Sequence, residues 1–207
     1  MSRPEIALSA PEFDALRSDR GAVTGLAARI AEALATPPYY VVLTGLPPME
    51  ERALTVALAR GIAEELPTKP GMSEERRGKV SFTRVRINPE RSAQGGSSTA
   101  YSRTNQPLAL HTDSSYMDDP HEVVAFQMVQ ADDQGGETLM MSLDTILAGL
   151  DAETRAALAE PIFPFNRIAL PILWERGGTR IRYYRAQIDT AVEAGAVLSP
   201  RAEAAMA

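Results

Sequence analysis

Leu108-Ala109-Leu110-His111-Thr112-Asp113-Ser114-Ser115-Tyr116 is the stretch on which the reading of the fold turns. Apolar residues lead into an imidazole and a carboxylate two positions apart, and serines of turn-forming character follow. An extended chain sends alternate side chains to one face, so the end of a strand can aim His111 and Asp113 at a single point. That donor pair suits a non-haem Fe(II) centre, which takes two histidines and one carboxylate and leaves other positions open. The chain has only two histidines, and the second, His121, lies ten residues further on.

The rest of the composition limits what else could bind. A chain of 207 residues has room for one well-buried domain, so a single domain over 1–207 is expected. Apolar residues make up 44%, yet no run approaches the ~20 apolar residues of a membrane span. The start, Met1-Ser2-Arg3-Pro4-Glu5-Ile6, lacks the apolar core of a signal peptide, which predicts a cytoplasmic protein with no membrane partner. Without cysteine there is no thiolate site, and His, Asp and Glu are left as the protein's metal ligands. The 21 basic and 27 acidic residues give 21 − 27 = −6, with the basic ones scattered, so nucleic acid is not an expected partner.

Periodicity then orders the chain. Between Pro11 and Leu34 the spacing of Leu26, Ile30 and Leu34 predicts an amphipathic helix that Pro37-Pro38 stops. Tyr39 to Leu43 reads as a short strand closed by Gly45 and Pro47-Pro48, and Met49 to Leu66 as a helix stopped by Pro67. Val80 to Ile87 reads as a strand, and Asn88 to Gln106 as a long loop that could serve as a lid or as a plain connection. Val123 to Val129 and Thr138 to Met141 read as a hairpin around Asp132-Asp133-Gln134-Gly135-Gly136. Ser142 or Asp144 can cap a helix through Leu150, and Asp151 can cap another that runs to Pro161. Ile168 to Trp174 and Thr179 to Ile188 are strand-like and joined at Gly177-Gly178, so strands should dominate the second half. Ser199-Pro200 opens a last helix that reaches Ala207 after two turns.

Several linked motifs give the chain a family likeness. His111-Thr112-Asp113 is followed by Tyr116 and Pro120, then by an apolar strand, then by Gly135-Gly136-Glu137-Thr138-Leu139; Val41-Val42-Leu43-Thr44-Gly45-Leu46-Pro47 precedes them all. In this order they resemble the taurine dioxygenase-like group of Fe(II)/2-oxoglutarate-dependent oxygenases, which includes the γ-butyrobetaine hydroxylases and clavaminate synthase-like enzymes. The resemblance implies a mainly β fold with flanking helices (α+β), a double-stranded β-helix or jelly roll. It further implies that His111 and Asp113 are two iron ligands and that the Thr138 hydroxyl binds a carboxylate of 2-oxoglutarate. A small organic acid or amino-acid-like substrate and molecular oxygen would be the other partners.

The family pattern also calls for a distal iron-binding His and an Arg for the 2-oxoglutarate carboxylate, and no residue before Ala207 matches either. The expectation is therefore a jelly roll incomplete at its C-terminus, a C-terminally truncated member with little or no turnover. The alternatives are a degenerate small-molecule-binding jelly roll without catalysis, or an inactive fragment whose open sheet edges would favour association into homo-oligomers.

Other polar residues have plainer readings. His121 reads as a strand-edge histidine that the turn at Asp118-Asp119-Pro120 carries away from the motif, and Glu122 as a solvated turn former. Alternation places Arg180 and Arg182 on one strand face and Arg185 on the other, where an inward Arg could take a substrate carboxylate. Trp174 reads as core, and Tyr101 and Asn105 as loop residues that could touch substrate.

Overall fold

The computed structural model describes residues 3–46, 52–65, 108–128, 133–165 and 168–207. They belong to two compact units, one from 1–82 with 125–142, the other from 83–124 with 143–207. The strand expected at Val80–Ile87, the loop at Asn88–Gln106, and Tyr101 and Asn105 within it, lie outside the described residues.

The first unit runs β1 (Glu5–Ala7), α1 (Ala10–Ser18), α2 (Arg20–Leu34), β2 (Val42–Thr44) and α3 (Arg52–Glu65). Ser9 and Glu12 start α1: the Glu12 carboxylate accepts from the Ser9 backbone N–H at 2.8 Å and its hydroxyl at 2.6 Å. Asp19 separates α1 from α2 by accepting from the Gly21 N–H at 2.8 Å, so the helical residues before Leu34 form two helices. The faces so produced bury Phe13, Leu16, Val23, Leu26, Ala27 and Ile30 against Leu54 and Leu58 of α3. β1 and β2 pair in parallel, Ile6 opposite Leu43. The strand expected from Tyr39 begins only at Val42, because Tyr39 takes φ 63° in a turn closed by its N–H on the Thr36 carbonyl at 2.8 Å.

The second unit contains α4 (Leu143–Gly149), α5 (Ala152–Leu158), β3 (Phe163–Phe165), β4 (Ile168–Leu170), β5 (Leu173–Glu175), β6 (Thr179–Ile181), α6 (Arg185–Glu193) and α7 (Pro200–Ala205). Asp151 caps α5 by accepting from the Thr154 N–H at 2.7 Å, and Ser199 caps α7 by accepting from the Ala202 N–H at 3.1 Å. Phe163, Phe165, Ile172, Leu173 and Ile188 form the core with Leu158 and Ala202. The short α7 is thereby anchored: its Ala202 is fully buried, and Arg201 reaches the Glu160 carboxylate at 2.8 Å.

Several expected strands are corrected. Ile168–Trp174 is two strands, since Pro171 cannot donate to a ladder and the chain turns there; β4 pairs back on β3, and β5 pairs forward on β6. Thr179–Ile188 stays extended only to Ile181, after which Arg185 starts a helix supported by its i,i+4 bond to Asp189 at 2.8 Å. Val123–Met128 and Glu137–Ser142 form no ladder among the described residues, and Phe126 and Leu139 are 72% and 82% exposed. The anticipated hairpin is thus not present in the described residues. Here the class is mixed helix and strand with three two-stranded sheets, and helices take more residues than strands. Among the described residues, no helix is long and apolar enough to cross a membrane.

Candidate metal centre

His111 sits where two chain segments meet. It forms an isolated antiparallel bridge with Tyr184, just before α6, and its imidazole leans on the Tyr184 ring at a centroid distance of 5.3 Å. Its Nδ1 lies 2.9 Å from the Ala109 carbonyl. A carbonyl only accepts, so Nδ1 carries the proton, and in the neutral ring Nε2 keeps its lone pair. That Nε2 is the atom facing Asp113, 3.7 Å from Oδ1. Two donors on one octahedral cation are about 3 Å apart at bond lengths of ~2.1 Å, so a small rotation of the exposed Asp113 side chain brings the pair into range. The imidazole is already oriented and in the metal-binding tautomer. The two residues fit one cation.

The turn after Asp113 is fixed from the other side. Ser114 adopts φ 56°, a left-handed conformation uncommon for a residue with a Cβ, and the Met117 N–H closes the turn on the Ser114 carbonyl at 2.9 Å. Ser115 is fully buried, and its hydroxyl donates to Gln187 Oε1 of α6 at 2.7 Å. Thr112, between the two candidate ligands, exchanges hydrogen bonds with Tyr183 at 2.7 and 2.9 Å, with a longer one from its hydroxyl at 3.5 Å. Beyond the turn, Arg176 pairs with Asp119, and Arg180 with Glu122 at 3.6 Å. Arg182 donates to the Met117 carbonyl at 2.8 Å and the Asp118 carbonyl at 3.4 Å. Burial pushes the Arg182 pKa down from its ordinary value, against the opposing pull of Asp118 and Asp119.

These contacts revise several sequence readings. His121 is not carried away by the Asp118-Asp119-Pro120 turn, because its Nδ1 is hydrogen-bonded to the Ser114 hydroxyl, next to Asp113. Glu122 is paired with Arg180. Arg180 and Arg182 do share a direction, and what they meet is the 117–122 segment. Trp174 is half-buried under the Arg182 guanidinium rather than enclosed in the core. Alternation along 179–183 gives the direction of these arginines, but no sequence signal marks a main-chain carbonyl as their acceptor. Thr138 is exposed and belongs to the unit of 1–82 and 125–142, whereas His111 and Asp113 belong to the other. Among the described residues, no cluster of three or more His, Asp or Glu side chains could hold a metal.

A bridged imidazole in the metal-binding tautomer beside a carboxylate, at the start of a tied turn, defines the class as a candidate mononuclear metal site. The family model described as taurine catabolism dioxygenase TauD, TfdA family matches residues 24–163, a span that takes in His111, Asp113 and Thr138. The chain belongs to this family. Membership suggests an oxygenase of the Fe(II)/2-oxoglutarate-dependent kind. No curated protein and no solved structure matches at a significant level.

Proposed function

We propose that residues 1–207 are one domain of an Fe(II)- and 2-oxoglutarate-dependent oxygenase built on a double-stranded β-helix, with His111 and Asp113 as iron ligands and Thr138 as the hydroxyl that takes a 2-oxoglutarate carboxylate. The observation that carries this reading is the His111 ring itself: the Ala109 carbonyl holds its Nδ1, and its Nε2 faces the Asp113 carboxylate. Bound together, the ferrous ion, 2-oxoglutarate and molecular oxygen would supply the oxidising power to hydroxylate a small organic acid or amino-acid-like substrate. The protein's own part is positional. The Ala109 carbonyl fixes the tautomer, Tyr184 walls the imidazole, and the bonds from Thr112 and Ser115 hold the turn that presents Asp113. A Thr138 hydroxyl would donate to a carboxylate, a charge-assisted bond stronger than one between neutral groups.

A second reading has its own observation. Among the described residues no group of three His, Asp or Glu side chains could hold a metal, which favours a non-catalytic binding protein that keeps the His111–Asp113 pair. Anaerobic titration with Fe(II) and then 2-oxoglutarate separates the two. The oxygenase reading requires an absorption band that depends on both additions and is lost in His111→Ala and Asp113→Ala, with little or no succinate formed by residues 1–207 alone once oxygen and substrate are admitted. A folded chain that shows no such band would leave the binding protein.

A further inference from the structure

Arg182 is 3% exposed, a rare state for a side chain that stays charged. Its guanidinium lies 4.2 Å over the Trp174 ring, so one face is stacked on an aromatic π-cloud. Along its edge it donates to two successive main-chain carbonyls, Met117 at 2.8 Å and Asp118 at 3.4 Å, and its Nε has no partner among the described residues. A buried charge normally meets a carboxylate or leaves the interior. This one is spent on two carbonyls of the turn that follows Asp113.

We propose that Arg182 is a positioning residue for the candidate metal centre: by donating to the Met117 and Asp118 carbonyls while its face rests on the Trp174 ring, it sets the course of the 111–119 turn and hence the placement of Asp113 opposite His111 Nε2. The proposal rests on the metal reading of that pair. The clamp acts at one end of the turn, and the Thr112–Tyr183 bonds act at the other, one residue along from Arg182 in the chain. The planar guanidinium suits this task because two of its N–H groups reach neighbouring acceptors while its face stacks, whereas an ammonium reaches them only as a point charge. A small shift of the turn would be felt at the metal, since ligand groups have to be held to within about 0.5 Å to be effective.

Arg182→Met and Arg182→Lys, with Arg201→Gln on α7 as a control that touches no part of the turn, test the proposal on the full chain. Hydrogen exchange of the metal-free protein is the first readout. The amides of 112–119 should exchange at least tenfold faster in both Arg182 variants, while α2 in the other unit and the 112–119 amides of the Arg201→Gln protein stay as in the parent. Unchanged exchange across the turn overturns the proposal. Cobalt(II) is the second readout, by its visible absorption, and its affinity should drop about tenfold or more in Arg182→Met and less in Arg182→Lys. Parent-like affinity in a variant with a loosened turn also overturns it. A parent that binds no cobalt at all sinks the metal reading, and the exchange measurement then decides alone whether Arg182 sets the turn. If Arg182→Met does not fold, Arg182→Lys carries both measurements.

Discussion

Thr112 and Tyr183 hold each other from both sides: the Thr112 N–H donates to the Tyr183 carbonyl at 2.7 Å, and the Tyr183 N–H donates to the Thr112 hydroxyl at 2.9 Å. The residue between the two candidate ligands is thus tied to the strand-to-helix junction before α6. Thr112→Val keeps the shape and removes the acceptor, leaving the part-buried Tyr183 N–H unsatisfied. The expected loss is about 1–2 kcal/mol, read as a lower urea midpoint with an unchanged slope, while Thr112→Ser stays close to the parent. Equal midpoints for valine and serine would show that the hydroxyl is not used.

Two glycines of the first unit should respond to alanine with opposite signs. Gly45 has φ 78°, and a Cβ there would fall 1.9 Å from the Leu8 carbonyl oxygen, at the point where the Leu8 N–H bonds the Thr44 carbonyl at 2.9 Å. Gly45→Ala has to break that contact and adopt a left-handed conformation, at a cost of roughly 3 kcal/mol or more. Gly25 lies exposed inside α2 with open space around the same position, so Gly25→Ala should stabilise by about 0.5–1 kcal/mol. Thermal or urea unfolding of the two variants checks the contrast, and a shared direction of change would contradict it.

How much of this was legible in the sequence follows from the range of each signal. Helices with strong local punctuation were readable: the spacing of Leu26, Ile30 and Leu34, the cap at Asp151 and the Ser199-Pro200 start all correspond to helices. Strands depend on a partner elsewhere in the chain, and there local reading found extended character at 42–43, 168–174 and 179–181 but not the bounds or the pairing. Phe163–Phe165 has a proline at its centre and was not anticipated, yet all three residues are buried and pair with Ile168–Leu170. Val123–Met128 has strand character in its side chains but no ladder among the described residues. In the candidate site, His111 and Asp113 stood out by residue type and spacing, whereas the tautomer set by Ala109 and the clamp by Arg182 depend on main-chain carbonyls, which every residue has alike.

Phe163 tests whether the β3–β4 pair is a true core element. It is fully buried and packs with Phe165, Ile172 and Ile188. Phe163→Ala should cost about 3–5 kcal/mol, and Phe163→Leu much less, because the first leaves a cavity that close-packed neighbours only partly fill. Folding of the second unit followed through the single Trp174 gives the readout, and tolerance of the alanine would refute the packing of this core.

Acid should weaken the first unit through two of its carboxylates. Hydrogen bonds from Thr44 and Arg3 hold the Glu5 carboxyl below the ordinary glutamate value, and those from the Ser9 side chain and backbone do the same for Glu12. Both folded-state values are depressed, so the unfolded chain takes up protons first as pH falls. Their contribution is complete above the unfolded glutamate value of about 4.3 and is lost as pH drops through the lower folded values. Stability should therefore be level from about pH 7 to pH 5 as far as these two groups are concerned, and decline below that. Glu12→Gln cannot ionise but can still accept from Ser9, so it should start slightly less stable at neutral pH and lose less on acidification. Urea midpoints for parent and variant at about pH 6 and about pH 3 give the comparison. Parallel acid losses in the two proteins would remove Glu12 from the account, and the cap at the start of α1 would then owe its stability to Ser9 and Pro11 alone.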